Sequence, residues 1–358
     1  MRRIKPHPNP SPRRGAFFTL NIMKTKIFIL VLFYASLLGG RTGGGLLSAQ
    51  TLTPENQTIY LRHIIEQTND ITQKEAALKL LANTGTYQAL TFASSLLDDK
   101  QIAPAAATTI WTILSEHPEY NGGESRKMLF AAITLLKGKQ KKEAKAWYDA
   151  ADKNEVGFVS LFDGRSLAGW KGLVENPIKR AKMSKEELAE AQKKADELMK
   201  KDWIVEDGVL VYIGHGWDNI CTWKNYADFE LLVDWRLDPN GKEPDAGVYL
   251  RGTPQVQIWD IRRTNVGAQV GSGGLYNNKE NPSTPTSVED NKLGEWNTFR
   301  IIMKGDKVTV WLNGTKVVDN VVLENYWDRK LPIFPCDPIE MQAHGCRCYF
   351  RNIYVKEL

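Results

Sequence analysis

Along residues 51–152 the apolar positions recur three and four apart. Ala76, Ala77, Leu80 and Leu81 form one such set, and Leu90, Ala93, Leu96 and Leu97 another. Ala107, Ile110, Trp111 and Leu114 follow, then Met128, Leu129, Ala132, Ile133 and Leu136. Breaks fall near Gly85, Asp98-Asp99, His117-Pro118 and Asn121-Gly122-Gly123. This period marks amphipathic helices and predicts about five or six of them, short and joined by tight turns, in a small array. Thr53-Pro54 supplies a cap with proline at the first helical position, and Thr72 with Glu75 has capping-box spacing. No side chain here carries evident chemistry, so a spacer or the docking of another protein is the expected role.

From residue 157 to 358 the pattern changes to alternation. Segments 229–236, 247–251, 298–303 and 308–312 are short runs separated by Gly, Asn, Asp and Pro. Asn313-Gly314 then leads into 315–318 and is the strongest hairpin signal in the chain. Many short strands at this spacing predict a mostly β protein, a sandwich or jelly roll preceded by a small all-α domain. One helical insertion is expected at about 184–201. Ser184 and Glu187 form a capping box there, and Leu188, Ala191, Ala195 and Leu198 make a narrow stripe through a Lys/Glu-rich sequence. The stripe should lie against the sandwich and the charges should face water.

Alternation also sorts the strands into a dry side and a wet side. Phe229, Leu231, Val233 and Trp235 oppose Glu230, Leu232, Asp234 and Arg236; Val248 and Leu250 oppose Tyr249 and Arg251. Val256 and Ile258 oppose Gln255, Gln257 and Trp259, and Ile339, Met341 and Ala343 oppose Glu340, Gln342 and His344. A purely solvated face is usually Lys, Glu, Thr and Ser. Arg, Gln, His, Tyr and Trp together suit a sugar, because fixed donors read hydroxyls while rings cover the apolar side of a pyranose. The expectation is one sheet face that gathers these groups around a carbohydrate.

Composition narrows the field. Of 358 residues, 42% are hydrophobic and 25% charged, which excludes a disordered polymer, a collagen-like repeat and a polytopic membrane protein. The formal charge of +5 is carried by the start of the chain. Residues 1–49 hold Arg2, Arg3, Lys5, Arg13, Arg14, Lys24, Lys26 and Arg41 and no acidic residue, leaving 39 basic against 42 acidic residues, a net −3, in the rest. The basic footprint a nucleic-acid partner needs is therefore absent from the folded part.

That start reads as a leader. Lys24 and Lys26 precede the apolar run 27–38, and Ser48-Ala49 offers a cleavage point, as in a secretory signal. The run is too short to span a bilayer. The expected destination is the periplasm or cell envelope, with no membrane span once the signal is removed. The four cysteines are too few for a disulfide scaffold, and their spacing suits no zinc site. A bond from Cys221 to Cys336 or Cys346 is left open.

Specific segments then resemble a known family. Residues 161–170 (LFDGRSLAGW) resemble the opening motif of the 3-keto-disaccharide hydrolases, also described as 3-keto-glucoside 1,2-lyase/3-keto-2-hydroxy-glucal hydratases. The similarity continues through 203–210 (WIVEDGVL), 226–231, 247–252 (GVYLRG), 255–260 (QVQIWD), 273–276 (GGLY), 294–297, 312–314, and 342–345 (QAHG) to 350–353. This resemblance, covering about 157–358, implies a concanavalin A-like jelly roll in an extracytoplasmic setting, acting on an oxidised di- or oligosaccharide. Gln255 stands where relatives often carry Glu, so a catalytic carboxylate is not assumed at that position.

The implied chemistry is physically coherent. A ketone at C3 acidifies the C2 proton, the resulting enolate expels the glycosidic oxygen from C1, and water adds back. This needs a base near C2, donors or a cation at the enolate oxygen, and an acid for the leaving group. His344 is the leading candidate for base or acid, with Asp260 and Glu230 as alternative bases and Arg251 at the enolate. Gln257, Gln342 and Tyr276 read as hydroxyl partners, Trp259 as a stacking platform, and Arg236 as a further substrate contact or an ion-pair partner. No cofactor is required by the sequence. A divalent metal could assist, although no ligand cluster demands one. Classical glycosidase chemistry fits less well, because the E-x-D-x-x-E string of laminarinase-like jelly rolls is absent. Glu230 and Asp234 would also lie roughly 13 Å apart along a strand. The reading from another class is a non-catalytic carbohydrate-binding or adhesion domain on a helical spacer.

Overall fold

The computed structural model describes residues 52–358, so the leader expected over 1–49 lies outside the described residues. Six α-helices come first: α1 (Pro54–Gln67), α2 (Ile71–Ala82), α3 (Tyr87–Ser95), α4 (Ala103–Glu116), α5 (Gly123–Ile133) and α6 (Gly138–Ala150). Thr53 caps α1, its hydroxyl accepting the Asn56 N–H, with Pro54 in the first turn. The start of α2 differs from the sequence reading. Asp70 is its cap and accepts the N–H groups of Thr72 and Gln73, so Thr72 falls inside the first turn and cannot head a capping box. Leu78, Leu81, Leu90, Ile110, Ile113 and Leu114 are fully buried between these helices.

The remainder is a two-layer sandwich. Its strands are β1 (Val159–Ser160), β2 (Trp170–Gly172), β3 (Trp203–Glu206), β4 (Val209–Tyr212), β5 (Ile220–Thr222), β6 (Phe229–Leu237), β7 (Asp245–Leu250), β8 (Thr253–Trp259), β9 (Asn297–Lys304), β10 (Lys307–Leu312), β11 (Thr315–Val322), β12 (Glu340–Met341) and β13 (Cys348–Glu357). One sheet runs β11-β10-β9-β6-β13-β4-β3, with β1 also on β13, and the other runs β2-β5-β12-β7-β8. The hairpin turn at Asn313-Gly314 joins β10 to β11. Between the layers lie Phe229, Leu231, Val233, Val248, Val256, Ile258, Ile339 and Met341, the inward set that alternation selects, joined by Phe299 and Phe350. Two helices interrupt the sandwich: α7 (Pro177–Arg180) and α8 (Lys185–Asp202). Ser184 and Glu187 form both halves of the α8 capping box, and Gly172 of β2 meets the backbone of Ala195 so closely that no Cβ fits there.

The helical array does not stand free as a spacer. It packs on the outer face of the eight-stranded sheet, where Phe158 and Leu232 join its core and Tyr354 packs against it. The Thr53 hydroxyl donates to Asn313 O at 2.6 Å, and Asn291 donates to Asn56 Oδ1 at 2.8 Å. The side of β6 expected to be wet is thus the side the helices cover. All four cysteines are free. Among the described residues, no helix is long and apolar enough to cross a membrane.

Candidate active site

The outer face of the five-stranded sheet carries the polar groups. Along β7 the outward positions are Asp245, Gly247 and Tyr249, and along β8 Gln255 and Gln257; Glu340, Gln342 and His344 follow in and after β12. Register brings them together: Gly247 pairs with Gln257, and Glu340 pairs with Tyr249 on one side and Cys221 on the other. Although they point away from the core, Asp245, Gln255, Gln257 and Glu340 are all buried. The face is therefore recessed rather than a washed surface. Along the outer edge of β8, the loop that follows pairs with the strand through Gln257 N–H to Gly274 O and Gly273 N–H to Gln257 O.

At one end His344 and Asp245 meet, with Nδ1 to Oδ2 at 4.0 Å. Asp245 is held by two further donors, Gln257 Nε2 at 2.8 Å and Arg263 Nη1 at 3.2 Å. Burial lifts its carboxyl above the ordinary range against the opposing pull of His344 and Arg263. The exposed ring of Trp217 stands edge-on to His344, centroids 4.8 Å apart. In the middle, Gly247 makes the floor. A Cβ there would fall 3.0 Å from Gln342 Oε1 and 3.1 Å from Gln255 Cδ, so glycine keeps the backbone open beneath two amides. At the far end Gln342 Nε2 lies 3.4 Å from the Tyr249 hydroxyl. Burial raises the Tyr249 phenol and keeps it a donor. Glu340 is sequestered beside Asn219, and burial pushes its carboxyl up to about 8. Gln342 Oε1 and Glu340 Oε2 have no hydrogen-bond partner, which leaves buried polar atoms on this face unsatisfied.

Several residues singled out from the sequence lie elsewhere. Glu230 and Arg236 are on β6, in the opposite sheet, because the shared alternation of β6, β7 and β8 conceals that they belong to different layers. Glu230 pairs with Arg300 at 2.6 Å, and the Arg236 guanidinium lies 4.2 Å from the Tyr349 ring centroid. Arg251 sits at φ +50° in the turn after β7, not on the sheet face. Its buried guanidinium donates to Ala227 O, Gly305 O and Asp228, tying three loops together. Trp259 is buried, with Nε1 donating to Gly271 O and its ring against half-exposed Tyr276, so it offers no free stacking face. Asp260 follows β8 in a turn, where Arg262 outweighs burial and holds its pKa below the usual range. Gln257, Gln342 and His344 do share one face.

Asp245, Arg263, Asn219 and Trp217 were not picked from the sequence. Asp245 had a legible signal, since the alternation of β7 extends two residues before Gly247. The other three arrive on loops whose course no periodicity reveals. Among the described residues, no three His, Cys, Asp or Glu side chains converge as metal ligands.

Fold and site together define a jelly-roll-type sandwich with a recessed sheet face of amides, a phenol and a carboxylate–imidazole pair. More narrowly, the model of the 3-keto-alpha-glucoside-1,2-lyase-like domain matches residues 157–356, and the chain belongs to that family, with the hydrolase- or lyase-like carbohydrate activity this carries. A 3-keto-disaccharide hydrolase from Bacteroides thetaiotaomicron is 22% identical over 256 residues, 56% of this chain and 79% of that protein. Two crystal structures of provisionally assigned glycosyl hydrolases from Parabacteroides distasonis are also similar. The first has 24% identity and a TM-score of 0.42, covering 56% of this chain and 94% of its own; the second has 25% and 0.37, covering 44% and 91%.

Proposed function

We propose that the protein cleaves 3-keto-glycosides by elimination and rehydration, using the recessed face of the five-stranded sheet. The observation that carries this reading is the His344–Asp245 contact at the end of a face on which Gln342 Oε1 and Glu340 Oε2 are buried without partners. His344, oriented by Asp245, removes the C2 proton. The electron pair passes through the enolate of the C3 ketone to form the C1–C2 double bond, and the glycosidic C1–O bond breaks with a proton delivered to the leaving oxygen. Water then adds to C1 as the proton returns to C2, giving net hydrolysis. Gln342, Gln255 and the Tyr249 hydroxyl supply hydrogen bonds to the sugar oxygens, including the one that gains charge. Trp217 covers the apolar side of the ring. The leader expected over residues 1–49 supports export to the periplasm or envelope.

The test is turnover of a 3-keto-glucoside by the full chain, followed through released aglycone and enone absorbance. Cleavage that disappears in His344→Ala and Asp245→Asn is the expected result. Binding of plain glycans with no turnover of the keto sugar would overturn the enzyme reading in favour of a carbohydrate-binding domain.

A further inference from the structure

On the opposite side of the sandwich, the helical array and the covered face of the eight-stranded sheet enclose a cavity of about 380 Å³. We propose that it is a second, non-catalytic carbohydrate site that holds one neutral sugar ring. Its walls come from both parts of the chain: Tyr87, Gln88 and Tyr120 from the array, and Glu230, Arg300 and Trp311 from the sheet. The volume is that of a small-ligand site.

The lining decides the chemistry. Gln88 is only 6% exposed, yet its Nε2 has no hydrogen-bond partner, and a buried amide donor left unsatisfied is the kind of group a ligand completes. Several of the charges at the cavity are paired internally. Glu230 holds Arg300 at 2.6 Å, and Glu119 holds His117 at 2.9 Å. Burial raises the Glu55 carboxyl against the opposing pull of Arg300. The lining holds three carboxylates, Glu55, Glu119 and Glu230, against two cations, Arg300 and Lys356, so cations are not in surplus to attract a phosphate or carboxylate, and the paired groups present fixed donors and acceptors. The aromatic wall is rigid: Tyr87 packs edge-on to Tyr120 at 5.2 Å and against Phe158 at 4.7 Å, while Arg300 lies 4.5 Å from the Trp311 ring centroid. An apolar ligand would strand Gln88 and the ion pair, and an anionic one would face more carboxylates than cations. A polyhydroxylated ring, apolar on its faces and polar at its edge, uses both kinds of wall.

The experiment is calorimetric titration of the full chain with maltose and with cellobiose, neither of which carries the 3-keto group of the proposed substrate. Binding of at least one is expected, weakened about tenfold or more in Gln88→Leu and in Trp311→Ala and unchanged in His344→Ala. Gln88→Leu keeps the side-chain size and guards against loss of fold in Trp311→Ala; a thermal melt checks both. The proposal is overturned if neither sugar binds, or if binding survives both cavity variants; loss of that binding in His344→Ala would then place it at the active site. Turnover of the 3-keto-glucoside is read separately, so this site can fail while the active site stands, and the reverse.

Discussion

Gly314, at the tip of the β10–β11 hairpin, seats the helical array by lacking a side chain. A Cβ at this position would meet the carboxylate of Glu55 and lie 2.9 Å from Thr53 Cβ, and its φ of +85° is one that side chains rarely adopt. The same turn accepts the Thr53 hydroxyl through Asn313 O. Turn chemistry and domain docking therefore meet in one dipeptide.

Gly314→Ala should consequently destabilise the protein by about 2–4 kcal/mol, combining overpacking at the array with left-handed strain. Urea denaturation followed by far-UV circular dichroism measures it. A change below about 0.5 kcal/mol would mean that the array is not seated on the hairpin.

Much of this architecture was legible in the sequence. The Asn-Gly turn, the inward residues of β6, β7, β8 and β12 and the Ser184 cap depend on local period and local hydrogen bonds, and those are properties of short segments. What could not be read was which layer each strand joins. Glu230 and Tyr249 look alike by alternation, but one faces the helices and the other the recessed sheet, a difference set by pairings across more than a hundred residues such as β6 with β13. Arg251 misled for a related reason. Its left-handed turn conformation breaks the alternation one residue after β7 ends, and the side chain leaves the face.

Arg251 therefore predicts a stability effect and not a catalytic one. Its buried guanidinium satisfies Asp228 and two carbonyls. Arg251→Ala should cost about 2–4 kcal/mol by leaving the Ala227 and Gly305 carbonyls without their donor, while Asp228 keeps the Gly305 N–H. Turnover per folded molecule, measured with the active fraction counted, should stay within a few-fold of wild type. A loss of two orders of magnitude in well-folded protein would return Arg251 to the reaction.

Asp245 predicts the opposite partition. Asp245→Asn keeps the shape and the Gln257 contact but removes the charge beside His344. The expected result is a fall in kcat of about 10²-fold or more on a 3-keto-glucoside, with KM little changed and the fold intact. An unchanged kcat would show that the pair only braces the sheet.

Glu340 gives a prediction for stability against pH. Burial raises its carboxyl from the ordinary 4.5 to about 8, so across that window the native protein keeps a proton that the unfolded chain has released. Its contribution is fully present below 4.5, declines as pH rises at up to roughly 1.4 kcal/mol per pH unit, and levels off above 8. Glu340→Gln keeps the shape and has no proton to lose. The stability difference between variant and wild type should therefore shift in the variant's favour from acid to mildly alkaline pH and then stay constant. Paired urea titrations across the range measure it, and a difference that does not vary with pH would mean that the native and unfolded chains ionise this carboxyl alike.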